Sequence, residues 1–249
     1  MVVTDANLTE SEPVAVTLES LRKHGIDAVL FDQVSVEPTD ISFKEAIKFA
    51  EDGNFDGFVA VGGGSSMDTA KAANLYLTYP ADFMTYVNPP IGKGTPVPGP
   101  LKPLVAVPTT AGTGSETTGV AIFDLVEMNA KTGIAHRALR PAKGIIDPHN
   151  TRFLPKMVTA CTGLDQLTHS LESLTALPFN QRPAPEHPKL RPAYQGSNPI
   201  SHIWASRAAE MISQNLVRVI KDPSDIEARG EVLLAATYAG IGFGNGGVH

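Results

Sequence analysis

The feature that most constrains the fold is a short apolar segment that runs without a break into a glycine-rich turn. Residues 57–61 (GFVAV) have the composition of a buried strand, and residues 62–68 (GGGSSMD) follow at once. Residues 69–76 then have a helical pattern. A strand that turns into a helix through glycines exposes consecutive backbone N–H groups at the helix N-terminus, which suits a phosphate or pyrophosphate. The alternative is a tight strand-to-helix turn that holds no ligand.

Strand-like and helix-like segments alternate over the first half of the chain. Apolar runs of strand type occur at residues 1–3, 28–31, 57–61 and 104–107, and helical patterns at 11–24, 39–51 and 69–76. This alternation predicts a parallel sheet with crossover helices. From about residue 154 the strand signals vanish, and helical patterns cover residues 158–175, 201–219 and 226–239. We therefore predict an α/β domain over residues 1–150 and an all-helical domain over residues 151–249.

Composition and charge exclude several classes of protein. The 249 residues carry 20 basic and 26 acidic side chains, a formal net charge of −6, which argues against a nucleic-acid binder. No run approaches the roughly eighteen apolar residues of a membrane-spanning helix. The single cysteine, Cys161, excludes an internal disulfide and fits a reducing compartment. The chain opens on the end of a strand (MVVTD) and closes in GIGFGNGGVH, so we expect a fragment truncated at both ends, with a complete small protein as the alternative.

A second loop of small residues, 108–116 (PTTAGTGSE), also follows a strand. Ligands of open α/β folds bind at the carboxyl ends of parallel strands, so the two loops together predict a nucleotide site. Asp32 closes the second predicted strand, where an acidic residue accepts hydrogen bonds from the adenosine ribose. Taken alone, an aspartate at a strand end is more often a turn former.

Asp165 and His169 are the strongest candidates for metal ligands. They are four residues apart, so on a helix they share one face and reach one metal ion. The alternative is an Asp–His hydrogen bond on a solvated face. Leucines at positions 164, 167, 171 and 174 make the helix apolar around the pair, which favours an interior location and a divalent metal. His249, after the final glycines, is the candidate third ligand.

Five segments, taken together and in this order, resemble the iron-containing (group III) alcohol dehydrogenase family. They are GGGSSMDTAK (62–71), PTTAGTGSE (108–116), GLDQLTHSLE (163–172), NPIS (198–201) and GFGNGGVH (242–249). Within that family, GTGSETTGVAIFD (112–124), the proline-rich insertion and RPAYQGSNPIS (191–201) look closest to the hydroxyacid-oxoacid transhydrogenase branch. The resemblance implies a dehydroquinate synthase-like architecture, in which an α/β dinucleotide-binding domain with a parallel sheet precedes an all-helical metal-binding domain.

The resemblance also implies the cofactors and the residues that hold them. NAD would place its pyrophosphate against Gly62, Gly63, Gly64, Ser65, Ser66 and Asp68. Thr109, Thr110 and Thr113 would lie beside the cofactor, Asp32 at the adenosine ribose and Lys131 at the nicotinamide ribose. The family metal, Fe²⁺ or in some members Zn²⁺, takes one Asp and three His. Asp165, His169 and His249 match three of these ligands, and the fourth would lie beyond residue 249.

The activity that the resemblance implies is a metal-dependent hydride transfer. A hydride would pass from 4-hydroxybutyrate to 2-oxoglutarate through retained NAD, giving succinate semialdehyde and D-2-hydroxyglutarate, with the metal as Lewis acid. These hydroxy- and oxo-acid substrates carry a remote carboxylate, for which Arg182, Lys189 and Arg191 are candidate partners. The alternatives are a simple NAD-dependent alcohol dehydrogenase and an inactive cofactor-binding fragment. The resemblance implies a mitochondrial protein, with the bacterial cytoplasm as the alternative, and leaves open whether it is a homo-oligomer.

Overall fold

The structure is a computed structural model that describes residues 1–187, 191–192 and 194–248. The chain divides into two compact units. The first, which we call the sheet unit, holds Met1–Pro108 and Gly119–Ile145. The second, the helical unit, holds Thr109–Thr118 and the residues from Ile146 onward.

The sheet unit is built on parallel strands, as the sequence predicts. Its strands are β1 (Val2–Asp5), β2 (Leu30–Val34), β3 (Phe58–Gly62), β4 (Leu104–Pro108), β5 (Val120–Leu125), β6 (Ala130–Ala135) and β7 (Lys143–Gly144). Five of them form one parallel sheet in the order β2-β1-β3-β4-β7, and β5 pairs with β6 as an antiparallel hairpin. The predicted parallel sheet with crossover helices is therefore confirmed.

Three helices of the sheet unit connect its strands: α1 (Glu12–Lys23), α2 (Asp40–Gly53) and α3 (Gly64–Thr78). Alternate strand residues bury their side chains on opposite faces of the sheet, so Val3 and Phe58 belong to one hydrophobic cluster and Val2 and Val61 to another. The helix α2 begins at a capping box in which Thr39 and Ser42 exchange side-chain and backbone hydrogen bonds. Both faces of the central strands are covered, as is usual for a parallel sheet.

Three details of the sheet unit differ from the sequence prediction. The strand β2 continues to Val34, so Asp32 lies within the strand and does not close it. The helix α3 begins at Gly64, five residues earlier than predicted, because Gly63 is already its N-cap. The β5–β6 hairpin was not predicted from the sequence. It is held by Asp68, whose Oδ2 accepts a hydrogen bond from the Ile122 amide at 2.9 Å, and by Lys71, which donates to the Val120 carbonyl at 2.8 Å.

The helical unit contains α4 (Lys156–Thr175), α5 (Pro199–Lys221) and α6 (Ile226–Gly246). The three predicted helices are present, but α6 continues seven residues past the predicted end, through a run of glycines. The glycines let α6 pack closely against α5, and this contact stabilises the added turns. A Cβ on Gly242 would lie only 3.2 Å from the Ala205 Cβ of α5. No helix in the described ranges is long and apolar enough to span a membrane.

The helix α4 buries an unexpected face. Small and polar residues point inward, namely Thr159, Gly163, Gln166, Ser170 and Ser173. Leu164 and Leu171 are 56% and 50% exposed, although the sequence predicts that leucines around Asp165 and His169 face an interior. The inward face is small because the neighbouring helix is close: a Cβ on Gly163 would collide with the Leu216 side chain of α5.

Candidate functional site

The first glycine turn joins β3 to α3 without an intervening loop. Gly62, the last residue of β3, has φ +159°, and a Cβ there would collide with the Ser66 hydroxyl and lie 2.6 Å from the Ser66 Cβ. Gly63 is the N-cap of α3, and no side chain caps this helix end. The first backbone N–H groups of α3 and the positive end of its dipole are therefore available to an anion.

Two hydroxyl groups on the first turns of α3 are buried and have no hydrogen-bond partner. The Ser66 and Thr69 side chains are each 1% exposed, and neither Oγ finds a partner among the described residues. Buried hydroxyls without partners are rare in folded proteins and indicate a missing ligand or water. Thr69 was not predicted as a site residue. Its spacing from Ser66 could have indicated it, because residues three apart share a helix face and both residues carry a hydroxyl.

Asp68 lies on the same helix but has a structural partner. Its carboxylate accepts the Ile122 hydrogen bond described above, and its Oδ1 lies 3.5 Å from the Lys71 Nζ. Lys71 is fully buried. Because this carboxylate anchors the hairpin, its contact with a pyrophosphate stays a prediction.

The two predicted ribose ligands lie on different strands of the sheet unit. Asp32 is half-buried on β2, and the Thr9 hydroxyl lies 3.4 Å from its Oδ2. Lys131 lies on β6, where its Nζ is 2.6 Å from Glu37 and 3.1 Å from Asp124. The hydrogen bond to Glu37 raises the pKa of the Lys131 ammonium, so this group is a firmly charged donor. The ribose contacts of both residues stay predictions.

The second glycine loop, Thr109–Thr118, belongs to the helical unit although it follows a strand of the sheet. Thr109 is buried and Thr110 is half-buried, while the Thr113 hydroxyl accepts a hydrogen bond from the Ser115 amide at 3.3 Å. Gly114 has φ +60°, which favours glycine, and a Cβ there would lie 2.7 Å from the Gly240 Cα of α6.

Two side chains fix this loop to the helices of its unit. Gln166 of α4 donates from Nε2 to the Ala111 carbonyl at 2.9 Å, and Thr237 of α6 donates to the Glu116 carboxylate at 2.8 Å. Sequence reasoning missed these residues. Gln166 could be noticed in the sequence only as a polar residue between two candidate ligands. Its partner, the Ala111 carbonyl, is 55 positions away, so no local pattern indicates the bond.

Asp165 and His169 lie on one face of α4, as the spacing predicts. The Asp165 Oδ1 is 3.7 Å from the His169 Nε2. Burial raises the pKa of Asp165, and the nearby His169 opposes that rise. The His169 ring packs against Phe243 with ring centroids 4.6 Å apart, and its Nδ1 is buried without a partner among the described residues.

This donor pair fits a divalent transition metal. One carboxylate oxygen and one imidazole nitrogen are ligands that Fe²⁺ and Zn²⁺ accept, and the Asp165 Oδ1 and the His169 Nε2 are close enough to reach one ion. Among the described residues, no cluster of three or more His, Cys, Asp or Glu side chains forms. His249, the predicted third ligand, lies outside the described residues.

The predicted carboxylate-binding residues lie in the proline-rich segment. Arg182 follows a short 3₁₀ turn (Phe179–Gln181), and its buried Nε has no partner among the described residues. Arg191 is exposed, and Lys189 lies outside the described residues. Their role toward a substrate stays a prediction.

Known proteins resemble this chain over its whole length. Relatives named mitochondrial hydroxyacid-oxoacid transhydrogenase are 60% identical in Xenopus laevis, over 100% of this chain and 54% of the relative, and 57% identical in Homo sapiens, over 99% and 53%. The chain therefore spans about half the length of the curated relatives it matches.

Solved structures confirm the predicted fold class. A 1,3-propanediol oxidoreductase has a TM-score of 0.85 at 30% identity, covering 99% of this chain and 59% of that one. A sulfoacetaldehyde reductase from Bifidobacterium kashiwanohense, in complex with NAD⁺, has a TM-score of 0.82 at 26% identity, with 99% and 59% covered. The family model for iron-containing alcohol dehydrogenase matches residues 1–148, and the model for the C-terminal part of the Fe-containing alcohol dehydrogenase family matches residues 193–249. The chain belongs to the iron-containing alcohol dehydrogenase family.

Proposed function

We propose that the protein acts as a hydroxyacid-oxoacid transhydrogenase. It moves a hydride from 4-hydroxybutyrate to 2-oxoglutarate through NAD that stays bound, giving succinate semialdehyde and D-2-hydroxyglutarate. The observation that carries the proposal is the identity of 55–60% to relatives of that name, which extends over at least 99% of this chain. The names of those relatives also support a mitochondrial location.

NAD is proposed to bind through residues of both glycine segments. Gly62, Gly63, Gly64, Ser65 and Ser66 would hold the pyrophosphate, with Thr69 as an additional donor. The uncapped N-terminus of α3 and the two unpartnered hydroxyls support this assignment. Asp68, Asp32, Lys131, Thr109, Thr110 and Thr113 are proposed as further cofactor contacts.

The metal is proposed to bind at Asp165 and His169, with His249 as a third ligand. We propose Fe²⁺, with Zn²⁺ as the alternative. When bound, the metal supplies a Lewis acid for the substrate oxygen, and NAD supplies the hydride acceptor. The 3.7 Å separation of the Asp165 Oδ1 and the His169 Nε2 supports the ligand pair.

The residues of the chain supply orientation and charge for this chemistry. Phe243 packs on the His169 ring and limits its rotation, so the imidazole keeps its orientation relative to Asp165. The α3 N-terminus would fix the pyrophosphate and so the position of the attached nicotinamide. Arg182, Lys189 and Arg191 would supply cations for the substrate carboxylates. Replacing Arg191 by Ala should raise the KM for 2-oxoglutarate, and an unchanged KM would remove this residue from the proposal.

Isotope transfer tests the proposed activity directly. The protein is incubated with 4-hydroxybutyrate deuterated at the carbinol carbon and with 2-oxoglutarate, without added NAD, and mass spectrometry follows deuterium in 2-hydroxyglutarate. Label in that product is the expected result, and Asp165→Asn is the matched control that should abolish it. Absence of label, with NADH formed once NAD is supplied, would favour the simple dehydrogenase. Absence of turnover with NAD still bound would favour a cofactor-binding protein.

A further inference from the structure

The second glycine loop is packed directly on two helices of its own unit. A Cβ on Gly112 would lie 2.8 Å from the Thr162 Cβ of α4, and one on Gly114 would lie 2.7 Å from the Gly240 Cα of α6. Side chains larger than hydrogen would force the loop away from both helices. The position of Thr109–Thr118 is therefore determined by α4 and α6.

Gln166 is the polar link on the α4 side. Its side chain is 0% exposed, and its Nε2 donates to the Ala111 carbonyl at 2.9 Å. By contrast, the hydroxyls of Thr162, Thr168 and Ser170 bond within α4, each donating to the carbonyl four residues earlier. Burial of an amide is costly unless it is hydrogen-bonded, so the Gln166 bond constrains where the loop can lie.

Gln166 also lies in the same helical turn as the proposed metal ligands. It follows Asp165 directly and precedes His169 by three residues, so a displacement of this turn moves all three residues together. The loop on the other side of the hydrogen bond carries Thr109, Thr110 and Thr113, the proposed cofactor contacts. One buried hydrogen bond thus connects the turn that would hold the metal to the loop that would touch NAD.

We propose that Gln166 is a positioning residue through which metal binding and NAD binding favour each other. The inference rests on the proposed function, because it requires both ligands. A metal on Asp165 and His169 restrains the turn, and through Gln166 it also restrains the loop, so NAD meets a loop that is already ordered. Linkage requires that NAD strengthens metal binding by the same factor.

The test compares Gln166→Met with Ser170→Ala in the intact chain. Methionine has the length of glutamine but no amide donor, whereas Ser170 is a buried residue of the same helix whose hydroxyl donates to the Gln166 carbonyl within α4. The Kd of NAD is measured by calorimetry with and without Zn²⁺. We expect Zn²⁺ to tighten NAD binding in the unchanged chain by about 5-fold or more, within the usual range of coupling between sites. The ratio of the NAD Kd without Zn²⁺ to the NAD Kd with Zn²⁺ should fall to near one in Gln166→Met and should stay unchanged in Ser170→Ala. A general loss of stability would weaken NAD binding equally with and without Zn²⁺, and so would leave the ratio unchanged.

Hydrogen exchange supplies a readout that needs no ligand. In Gln166→Met, amides of residues 109–118 should exchange faster while the sheet unit keeps its protection. If Gln166→Met fails to fold, Gln166→Leu provides the second variant, because leucine also lacks the amide that donates to the Ala111 carbonyl. In this variant too, the Kd of NAD should become the same with and without Zn²⁺.

Three results would overturn the inference: an unchanged Zn²⁺ ratio in Gln166→Met, equal NAD affinities with and without Zn²⁺ in the unchanged chain, or unchanged exchange of the loop. The first two leave the proposed function intact as long as NAD binds. Absence of NAD binding to the unchanged chain would instead count against the proposed function. In that case, faster exchange confined to residues 109–118 would still support the positioning role of Gln166.

Discussion

Two glycines of α6 should respond in opposite directions to the same substitution. Gly230→Ala adds a Cβ whose nearest neighbour outside its own helix is the Pro148 side chain at 3.8 Å, an ordinary contact distance. Gly240→Ala adds a Cβ that would collide with the Thr117 hydroxyl and lie 2.7 Å from the Gly114 carbonyl oxygen. The first change should stabilise the helical unit, and the second should destabilise it.

The magnitudes follow from two opposing contributions. Replacing glycine by alanine inside a helix contributes about 1 kcal/mol to stability, and Gly230→Ala should gain this amount. Overpacking costs about 1–3 kcal/mol, and the upper end applies at Gly240 because backbone atoms of Gly114 must move and the Thr117 hydroxyl is held by the Gly114 carbonyl at 2.8 Å. Gly240→Ala should therefore lose about 2 kcal/mol net after the helix-propensity gain.

The single tryptophan makes the measurement specific to this unit. Trp204 of α5 packs against Tyr238 of α6 with ring centroids 5.1 Å apart, so its fluorescence reports on the contact between these helices during urea unfolding. The two variants should differ by about 3 kcal/mol in the free energy of unfolding, the sum of the two effects. A Gly240→Ala protein as stable as Gly230→Ala would refute the packing of the loop on α6.

The remaining predictions concern the cofactor turn, the metal pair and the hairpin. Ser66→Ala and Thr69→Val should each raise the Kd of NAD by about 3–10-fold, which corresponds to the loss of one hydrogen bond. Neither change should lower the melting temperature, because neither hydroxyl has a partner among the described residues. Calorimetry measures the Kd and thermal unfolding the melting temperature, and an unchanged Kd would contradict the assignment. Asp165→Asn should weaken Zn²⁺ binding by at least about 10-fold while NAD still binds the chain without metal, as competition with a chromogenic chelator would show. Lys71→Met should destabilise the sheet unit by about 3 kcal/mol, because it leaves the Asp68 carboxylate without its buried cation, and a loss below 1 kcal/mol in urea unfolding would contradict this.

The parts of the structure that local patterns determine could be predicted from the sequence. The strand at residues 57–61 and the glycine turn after it were predicted because apolar runs and glycines act over a few residues. The shared face of Asp165 and His169 followed from helical spacing alone. Each of these predictions needs no knowledge of distant contacts.

The parts that depend on distant partners could not be predicted. The sequence predicts that α6 ends near residue 239, because glycine disfavours a helix, yet contacts with Ala205 and with the loop at Gly114 favour glycine at those positions. The inward face of α4 carries a glycine at position 163 because Leu216 of α5 lies too close for a side chain there. The role of Gln166 depends on a carbonyl 55 residues away, so no local pattern indicates it.

The glycines at the end of α6 also affect the order of assembly. Four of the last seven helical residues are glycine, at positions 240, 242, 244 and 246. Relative to alanine, they cost that segment roughly 4 kcal/mol of intrinsic helical stability, so it would be unstructured in isolation. Coil-to-helix conversion of this segment must therefore coincide with docking onto α5 and the loop. The last two turns of α6 fold as a consequence of tertiary assembly and cannot nucleate it.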